Sequence, residues 1–196
     1  SLAVVRSATG AIKNALVDTL QTNIFNIDGD TASVVLSAAT GIGAAGTSNL
    51  GAALQTRVAQ LELVNSVSGG IYIQEATDLE IVDTTASADA SAGINARGAQ
   101  VDGDVLVSIV VSAGDLKVSS AIQTSAIQTS AIQTSATGAV VPGNNDILLT
   151  TLAGDITIAS GVSASGGDVR LTSSGQIALT NTAEVATTMA GKTIQL

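Results

Sequence analysis

The sequence predicts an all-β fold of the parallel β-helix class, a solenoid of about nine coils with roughly 20 to 22 residues in each. Three observations lead to this prediction: a turn pair that recurs before short strands, an even spacing between alternate copies of it, and an apolar composition with hardly any aromatic residue. The recurring phrase is a glycine and an aspartate followed by apolar residues at every second position, the pattern of a strand start. Its clearest copies are Gly103-Asp104, Gly114-Asp115, Gly154-Asp155 and Gly167-Asp168.

The spacing of these phrases sets the expected coil length. Single steps are uneven, but two steps together are even, since Asp146 to Asp168 and Asp155 to Gln176 both span about 20 to 22 residues. A unit of this length with more than one strand suits a β-helix, because each coil must return the chain above its own start. The stretch from Asp115 to Asp155 is about twice as long and is interpreted as two coils.

In the first third of the chain, the sequence pattern is compatible with both strand and helix. Residues 9–25 and 49–64 carry leucines at helical spacing, whereas parts of the second range also alternate as a strand does. We interpret both as strands, because the neighbouring phrases at 34–36 and 71–73 read as strands. Residues 83–93, rich in Ala, Ser, Thr and Asp, are expected to form a loop that bulges from the stack.

Residues 120–135 contain the pentad Ser-Ala-Ile-Gln-Thr three times, which places Ile122, Ile127 and Ile132 five residues apart. Two pentads amount to about half a coil, so we expect this run to fill the gap between Asp115 and Asp155 and to keep the coil phase. A pentapeptide-repeat solenoid, with an apolar residue at every fifth position, is a competing local interpretation. A duplication with no role beyond length is another.

We expect a single solenoid over residues 1–196, a segment of a longer chain or fibre that is less regular over 1–100 and built of regular coils over 101–196. Neither end shows a polar cap, since residues 2–5 and 193–196 both look like strands. Uncapped solenoid ends expose backbone groups that pair readily with another strand. The expected partners are therefore other copies, or adjoining repeats.

Composition narrows the function classes. Hydrophobic residues make up 45% of the chain, yet Phe25 and Tyr72 are its only aromatic residues, so the core is expected to consist of Val, Ile, Leu and Ala. The absence of Cys excludes disulfides, and the net charge of -9 argues against nucleic acid as a partner. No apolar run approaches the ~18 residues of a transmembrane helix, so no membrane insertion is expected.

The same composition argues against catalysis. The chain has no His, Cys or Trp, and its seven basic residues are scattered, so acid–base chemistry would fall to carboxylates alone. We therefore expect no enzyme activity, no catalytic residue and no cofactor.

Two pairs of acids are weak candidates for a calcium site. Asp28 and Asp30, and likewise Asp102 and Asp104, flank a glycine, and carboxylate oxygens around a turn are a start on a calcium cage. The alternative is that these aspartates only stabilise turns by accepting backbone amides. A calcium-stabilised surface-layer solenoid, or an ice-binding one built on the threonine pairs at 150–151 and 187–188, is a remote functional alternative.

Related phrases recur at residues 38–43, 54–56, 67–73, 145–158 and 166–171, for example Gly69-Gly70-Ile71-Tyr72-Ile73. These phrases resemble the repeats of large bacterial exoproteins related to filamentous haemagglutinin. The resemblance implies a right-handed β-helical shaft that is secreted or held at the cell surface. It also implies a role in adhesion or as part of an extracellular fibre.

Two functions are consistent with these observations. In the first, the chain is a structural segment that supplies length and stiffness to a surface filament supporting adhesion or attachment. In the second, it is an adhesive module that itself binds a receptor or a glycan, for which Tyr72 and Arg170 are isolated outward candidates. The structural function is favoured, because no exposed patch is evident in the sequence.

Overall fold

The computed structural model describes residues 1–14, 25–44, 53–67, 69–83, 94–98, 107–120, 122–126, 146–164, 167–180, 183–187 and 193–196. These residues contain sixteen strands and no helix. The strands are β1 (Leu2–Ser7), β2 (Ile27–Ala38), β3 (Leu54–Asn65), β4 (Ile71–Glu75), β5 (Leu79–Ile81), β6 (Ile94–Gly98), β7 (Val107–Val111), β8 (Leu116–Val118), β9 (Ile122–Ala126), β10 (Ile147–Thr151), β11 (Ile156–Ile158), β12 (Val162–Ala164), β13 (Val169–Ser173), β14 (Ile177–Leu179), β15 (Val185–Thr187) and β16 (Ile194–Gln195).

The strands form three columns in which every pairing between neighbours is parallel. Column A contains β4, β7, β10, β13 and β16, column B contains β5, β8, β11 and β14, and column C contains β6, β9, β12 and β15. The chain visits A, B and C in turn and then returns to A one level higher. This path is a parallel β-helix, so the predicted fold class is confirmed.

The first levels use longer strands that cross from one column to the next. β3 pairs with β4, β5 and β6 along its length, so this one strand of 12 residues runs across all three columns. β2 pairs with β3 over the same path with a register shift between Gly29 and Ser33, and β1 pairs with β2. Residues 54–64 are thus confirmed as strand. In the range 9–25, Ile12 forms an isolated bridge, and residues 15–24 lie outside the described part.

Direct partners in column A trace one vertical ladder of β-branched residues. The ladder consists of Ile12, Ile42, Ile71, Val107, Ile147, Val169 and Ile194. These seven residues mark seven levels in the described part of the chain, where the sequence suggested about nine. Stacking of like side chains in this way fills a narrow interior without aromatic residues.

The coil length explains this difference. The expected step of about 20 to 22 residues holds late in the chain, where Ile147 pairs with Val169 and Ile156 pairs with Ile177. Leu116, however, pairs directly with Ile156, which lies about two such steps further along the chain. The interpretation of that separation as two coils is wrong, because column B rises by only one level over it.

The expectation that the pentad run fills part of an additional coil changes for the same reason. Its first part forms β9, which pairs with β6 below and β12 above, so no extra half-coil intervenes there. Residues 127–145 lie outside the described part, as do residues 84–93 of the expected loop. The two alternative interpretations of the pentads therefore stay open.

The three corners of the coil differ in length. Between columns A and B the connections are only three or four residues long, at 76–78, 112–115, 152–155 and 174–176. Between C and A, the strands are separated by four residues, at 165–168, to twenty, at 127–146, and most of these residues lie outside the described part. The A–B corner is thus the constant edge of the solenoid.

The core is built from the inward residues of these strands. In β4, β7 and β10, buried residues alternate with half-buried or exposed ones, as expected for strands that bury one face. Among the residues that the structure describes, twenty-five buried hydrophobic ones form one cluster, all of them Val, Ile, Leu or Ala. The composition of the core is as predicted.

We expect deletion of residues 127–136 to leave the β-helix intact. The deletion shortens the separation between β9 and β10 from twenty residues to ten, which still exceeds the four residues between β12 and β13. Halving a loop changes its closure cost by only about 0.6 kcal/mol. Circular dichroism and urea unfolding of the shortened chain test this expectation.

The matched control is deletion of ten residues that include β10, residues 147–156. This variant removes one level of column A and is expected to unfold or to lose several kcal/mol. Equal damage from both deletions would mean that the pentads form part of a coil.

Candidate functional site

The A–B corner carries a ladder of stacked aspartates. The Oδ1 atom of Asp78 accepts the backbone N–H of Asp115 at 2.8 Å, and Oδ1 of Asp115 accepts the N–H of Asp155 at 2.8 Å. Oδ1 of Asp155 accepts the N–H of Gln176 at 2.7 Å. Each carboxylate therefore binds the amide at the equivalent position one level above, a charge-assisted hydrogen bond that fixes the register of the two coils.

The glycine that precedes each of these positions is required by the level below it. A Cβ atom on Gly114 would lie well within 3.0 Å of Oδ1 of Asp78, and one on Gly175 equally close to Oδ1 of Asp155. A Cβ on Gly154 would collide in the same way with the carbonyl oxygen of Gly114. Gly114 also has a φ of +115°, which side chains rarely permit. The Gly-Asp phrase is therefore one stacking unit.

A second ladder runs along the C–A corner. Oδ1 of Asp146 accepts the N–H of Asp168 at 2.7 Å, and Oδ1 of Asp168 accepts the N–H of Thr193 at 2.6 Å. Asp146 itself is buried, with 2% of its surface exposed. The turn aspartates at both corners thus hold coil to coil through backbone amides.

The calcium candidates lie elsewhere. Asp28 and Asp30 are on β2, and both pair with the Arg57 guanidinium, with Nη2 2.8 Å from Oδ1 of Asp28 and Nε 2.9 Å from Oδ1 of Asp30. The hydrogen bond that Arg57 donates to Asp28 raises the pKa of Arg57, whose Cζ lies 5.3 Å from the centre of the Phe25 ring. A cation would have to displace this guanidinium. Asp102 and Asp104 lie outside the described residues.

In the described ranges, no group of three or more His, Cys, Asp or Glu side chains could hold a metal ion. The calcium site therefore stays a prediction. Thermal denaturation with calcium and with a chelator is the measurement that decides it.

A polar ladder on the outer face of column B was not evident in the sequence. The Ser33 hydroxyl donates to Gln60 at 2.6 Å, and the Gln60 amide donates to Oε2 of Glu80 at 2.9 Å. Lys117 Nζ and the Ser119 hydroxyl donate to Oε1 of Glu80 at 2.6 and 2.5 Å. Chiefly because of the Lys117 hydrogen bond, the pKa of Glu80 is lowered to about 2.

Glu75 is a second unanticipated carboxylate, fully buried at the end of β4. Its Oε2 accepts from the Thr56 hydroxyl at 2.7 Å, and its Oε1 accepts from the amides of Ala76 and Thr77 at 2.9 and 3.1 Å. Burial nevertheless raises its pKa, because removal from water penalises the charged form. Glu75 thus satisfies backbone amides of the A–B corner from the interior. The equivalent position one level above is occupied by Val111.

A shallow groove lies on the outer surface beside the A–B corner. It is lined in part by Asp30, Arg57, Glu80 and Lys117. Its two cations are both paired, Arg57 with Asp30 and Lys117 with Glu80, and its lining also includes Asp78 and Asp115, so the groove has an acidic balance. Such a surface disfavours an anionic small molecule.

The two outward candidates share one line on column A. Tyr72 pairs with Ser108, Ser108 with Leu148, and Leu148 with Arg170. Tyr72 and Arg170 thus stand three levels apart, about 14 Å at ~4.8 Å for each level. Both are half-buried and are separated by one hydroxyl and one apolar side chain.

The two ends of the solenoid expose side chains that belong to the core. Val5, Leu179 and Ile194 occupy inward ladders whose interior members are almost fully buried, yet they are 42%, 47% and 42% exposed. Leu2 and Leu196 add to this apolar surface at the two ends. Six of the eight large hydrophobic residues exposed in the described part lie at these ends, and the other two are Val67 and Leu152.

No known protein family matches the chain, and neither a curated protein nor a solved structure matches it. The described residues include no helix that is long and apolar enough to span a membrane. The structure thus defines a class, the parallel β-helix.

We expect Gly154→Ala to destabilise the fold by about 1 to 3 kcal/mol, the usual cost of overpacking. The added methyl group would collide with the Gly114 carbonyl and the Asp115 carboxylate. Gly161→Ala is the matched control, since nothing lies within 4 Å of its Cβ position, and its effect is expected within about 0.5 kcal/mol. Equal losses in urea unfolding would contradict the stacking role of the glycine.

The pH dependence of stability should differ in sign between Glu80 and Glu75. The pKa of Glu80 in the fold is about 2, below the ordinary 4.5, so its contribution is complete above pH 4.5 and is lost as pH falls towards 2. The pKa of Glu75 is raised, so its contribution is complete below pH 4.5 and is lost as pH rises through the folded value.

The measurement is the free energy of unfolding of wild type, Glu80→Gln and Glu75→Gln between pH 7 and pH 3. The advantage of wild type over Glu80→Gln should shrink on acidification, by about 1 kcal/mol for a solvent-screened group. Relative to Glu75→Gln, wild type should gain stability on acidification. Parallel curves for the three proteins would refute both assignments.

Proposed function

We propose that the chain is a structural β-helix, a stiff shaft that lengthens by stacking end to end into a surface filament and so supports attachment. The observation that carries this proposal is the parallel pairing of successive levels, which stack in register along one axis. A ladder residue at an end has lost only the neighbour above or below it. A further level of the same geometry would bury it again.

The lateral surface supports the same function. Inward side chains stack in ladders, and hydrogen bonds between coils run along the axis, so every added level contributes the same interactions. The outer ladder of Ser33, Gln60, Glu80 and Lys117 is polar and internally paired. Such sides resist lateral aggregation, which leaves the ends as the surfaces for association.

An extracellular location completes the proposal. It rests on the resemblance of the repeated phrases to bacterial exoproteins and on an absence of Cys that such repeat proteins tolerate. In this setting the partners are copies of the chain or adjoining repeats.

The second candidate function is an adhesive module. The line from Tyr72 to Arg170 on column A favours it, because an aromatic ring and a guanidinium on one flat face are common elements of binding surfaces. A glycan array probed with wild type and with the Tyr72→Ala, Arg170→Ala double variant tests this alternative. Binding that the double variant loses would favour it over the structural function.

The stacking function predicts rods that lengthen with protein concentration. Light scattering and electron microscopy of the 196-residue chain should show them, and aligned rods should diffract at an axial spacing of ~4.8 Å. Particles that stay discrete at high concentration would refute the proposal.

Substitutions at the ends sharpen this test. Leu179→Asp and Ile194→Asp should stop the lengthening, because each would bury a charge between two stacked copies. The matched control is Leu152→Asp, which changes a residue that is 59% exposed on the flank, in the turn between β10 and β11. It should assemble as wild type does.

A further inference from the structure

Two concavities lie side by side on the outer face of column A, at the levels of β3, β4 and β7. The first, of about 360 Å³, is lined in part by Phe25, Gln55 and Gln74. The second, also of about 360 Å³, is lined in part by Tyr72, Gln74 and Ser108. Gln74 borders both, so the two concavities form one cleft, which we call the column A cleft. Each has a volume within the range of ~300–1,000 Å³ that is typical of ligand pockets.

Both aromatic residues of the chain border this cleft. The sequence contains one Phe, one Tyr and no Trp, and neither Phe25 nor Tyr72 belongs to the core cluster of the described residues. The Arg57 guanidinium packs on Phe25, with Cζ 5.3 Å from the ring centre, and Tyr72 is half-buried on β4. An aromatic ring presents a flat apolar face with partial negative charge, against which C–H groups pack favourably. The cleft thus concentrates all the aromatic surface of the chain at one place.

The side-chain amides of Gln55 and Gln74 are available to a ligand. These two residues pair directly in the parallel ladder, so their side chains stand one above the other, about 4.8 Å apart, on the outer face. In the described ranges neither side chain forms a hydrogen bond, whereas that of Gln60, on the same strand as Gln55, bonds to Ser33 and Glu80. An amide group both donates and accepts hydrogen bonds. The two glutamines therefore supply donors and acceptors that the described part of the fold does not use.

The cleft offers no uncompensated charge among its described lining residues. The one charged residue there is Arg57, whose guanidinium lies 2.8 Å from Asp28 and 2.9 Å from Asp30. An ionic ligand would lose its hydration without gaining a counter-charge. Because β4 pairs with β3 below and with β7 above, no strand edge is open at the cleft for an extended peptide. The ligand that fits is uncharged, carries groups that both donate and accept hydrogen bonds, and has flat apolar faces.

We propose that the column A cleft binds a neutral oligosaccharide, with sugar rings against Phe25 and Tyr72 and hydroxyl groups bonded to Gln55 and Gln74. A pyranose ring has the required chemistry, because its C–H faces are apolar while its hydroxyls both donate and accept hydrogen bonds. This site lies on the flank of the solenoid and does not depend on the end-to-end stacking function. It also differs from the line that favours the adhesive candidate, which continues past the cleft to Arg170.

Tyr72 supplies a built-in probe of the cleft. It is the only Tyr in a chain without Trp, so the tyrosine fluorescence of the protein arises from Tyr72 alone. The chain is titrated with neutral tetrasaccharides of glucose, galactose, mannose and N-acetylglucosamine. At least one of them is expected to change the emission saturably, with a Kd of about 1 mM or tighter. Sulfated forms of the same tetrasaccharides are the matched control and should bind at least about tenfold more weakly, because the cleft provides no counter-charge.

Substitutions locate the binding. Phe25→Leu and Tyr72→Leu keep apolar bulk but remove a ring, and Gln74→Ala removes the amide that borders both concavities, so each should weaken binding about three- to tenfold in saturation-transfer NMR. Thr150→Ala and Arg170→Ala change outer residues of column A at higher levels and should bind as wild type does. Circular dichroism of each variant confirms its fold, and exposed Gln74 provides a test that leaves the packing of both rings in place.

Four outcomes would overturn the proposal. The first is the absence of saturable binding by all four neutral tetrasaccharides at ~10 mM, and the second is a preference for the sulfated forms. The third is binding that Arg170→Ala weakens but Phe25→Leu and Gln74→Ala do not, which would assign the sugar to the line of the adhesive candidate. The fourth is tighter binding of uncharged tetrapeptides titrated in parallel. Rod formation is measured separately, and its failure would overturn the stacking function without affecting the cleft.

Discussion

Register between successive coils is the constraint on which the whole solenoid depends. Burial alone does not fix it, because a strand shifted by two residues still turns its apolar side chains inwards. The corner aspartates remove this freedom, since each carboxylate accepts one particular amide of the next level, as Asp115 does from Asp155 at 2.8 Å. The glycines before Asp115, Asp155 and Gln176 leave room for the level below. Alignment is therefore set at the corners, and the ladders fill the space that the corners define.

The stacking of aspartates has an electrostatic cost, which backbone hydrogen bonds reduce. Carboxylates at successive levels stand close together and repel, and each hydrogen bond from a backbone amide offsets part of that repulsion. The run on the A–B corner includes three aspartates, Asp78, Asp115 and Asp155, and then passes to the neutral Gln176. On the flank, Lys117 pairs with Glu80, and Arg57 pairs with both acids of β2. The ion pairs therefore offset only part of the net charge of -9.

Much of this architecture could be predicted from the sequence, and the rest depends on register. The Gly-Asp phrase and the alternation after it identified the strands of columns A and B, because both signals are local. The coil length could not be predicted from local signals. Leu116 and Ile156 pair across twice the expected step, and nothing in the intervening sequence indicates whether it forms a coil or a connection. The ion pair of Asp28 with Arg57 joins residues 29 apart, so only the β2–β3 register brings it together. Buried Glu75 was missed because an acid at a strand end ordinarily signals a turn.

The axial rise of each level is fixed, whereas the number of residues at the C–A corner varies. Each level adds the same height, however many residues separate its column C strand from the next column A strand, because parallel pairing fixes the spacing between strands. Separations of four and of twenty residues between a column C strand and the next column A strand therefore correspond to the same rise of one level. A lineage of such chains can lengthen or trim these segments freely while the pitch of the rod stays constant. The axial pitch of the solenoid is therefore independent of the length of its C–A segments.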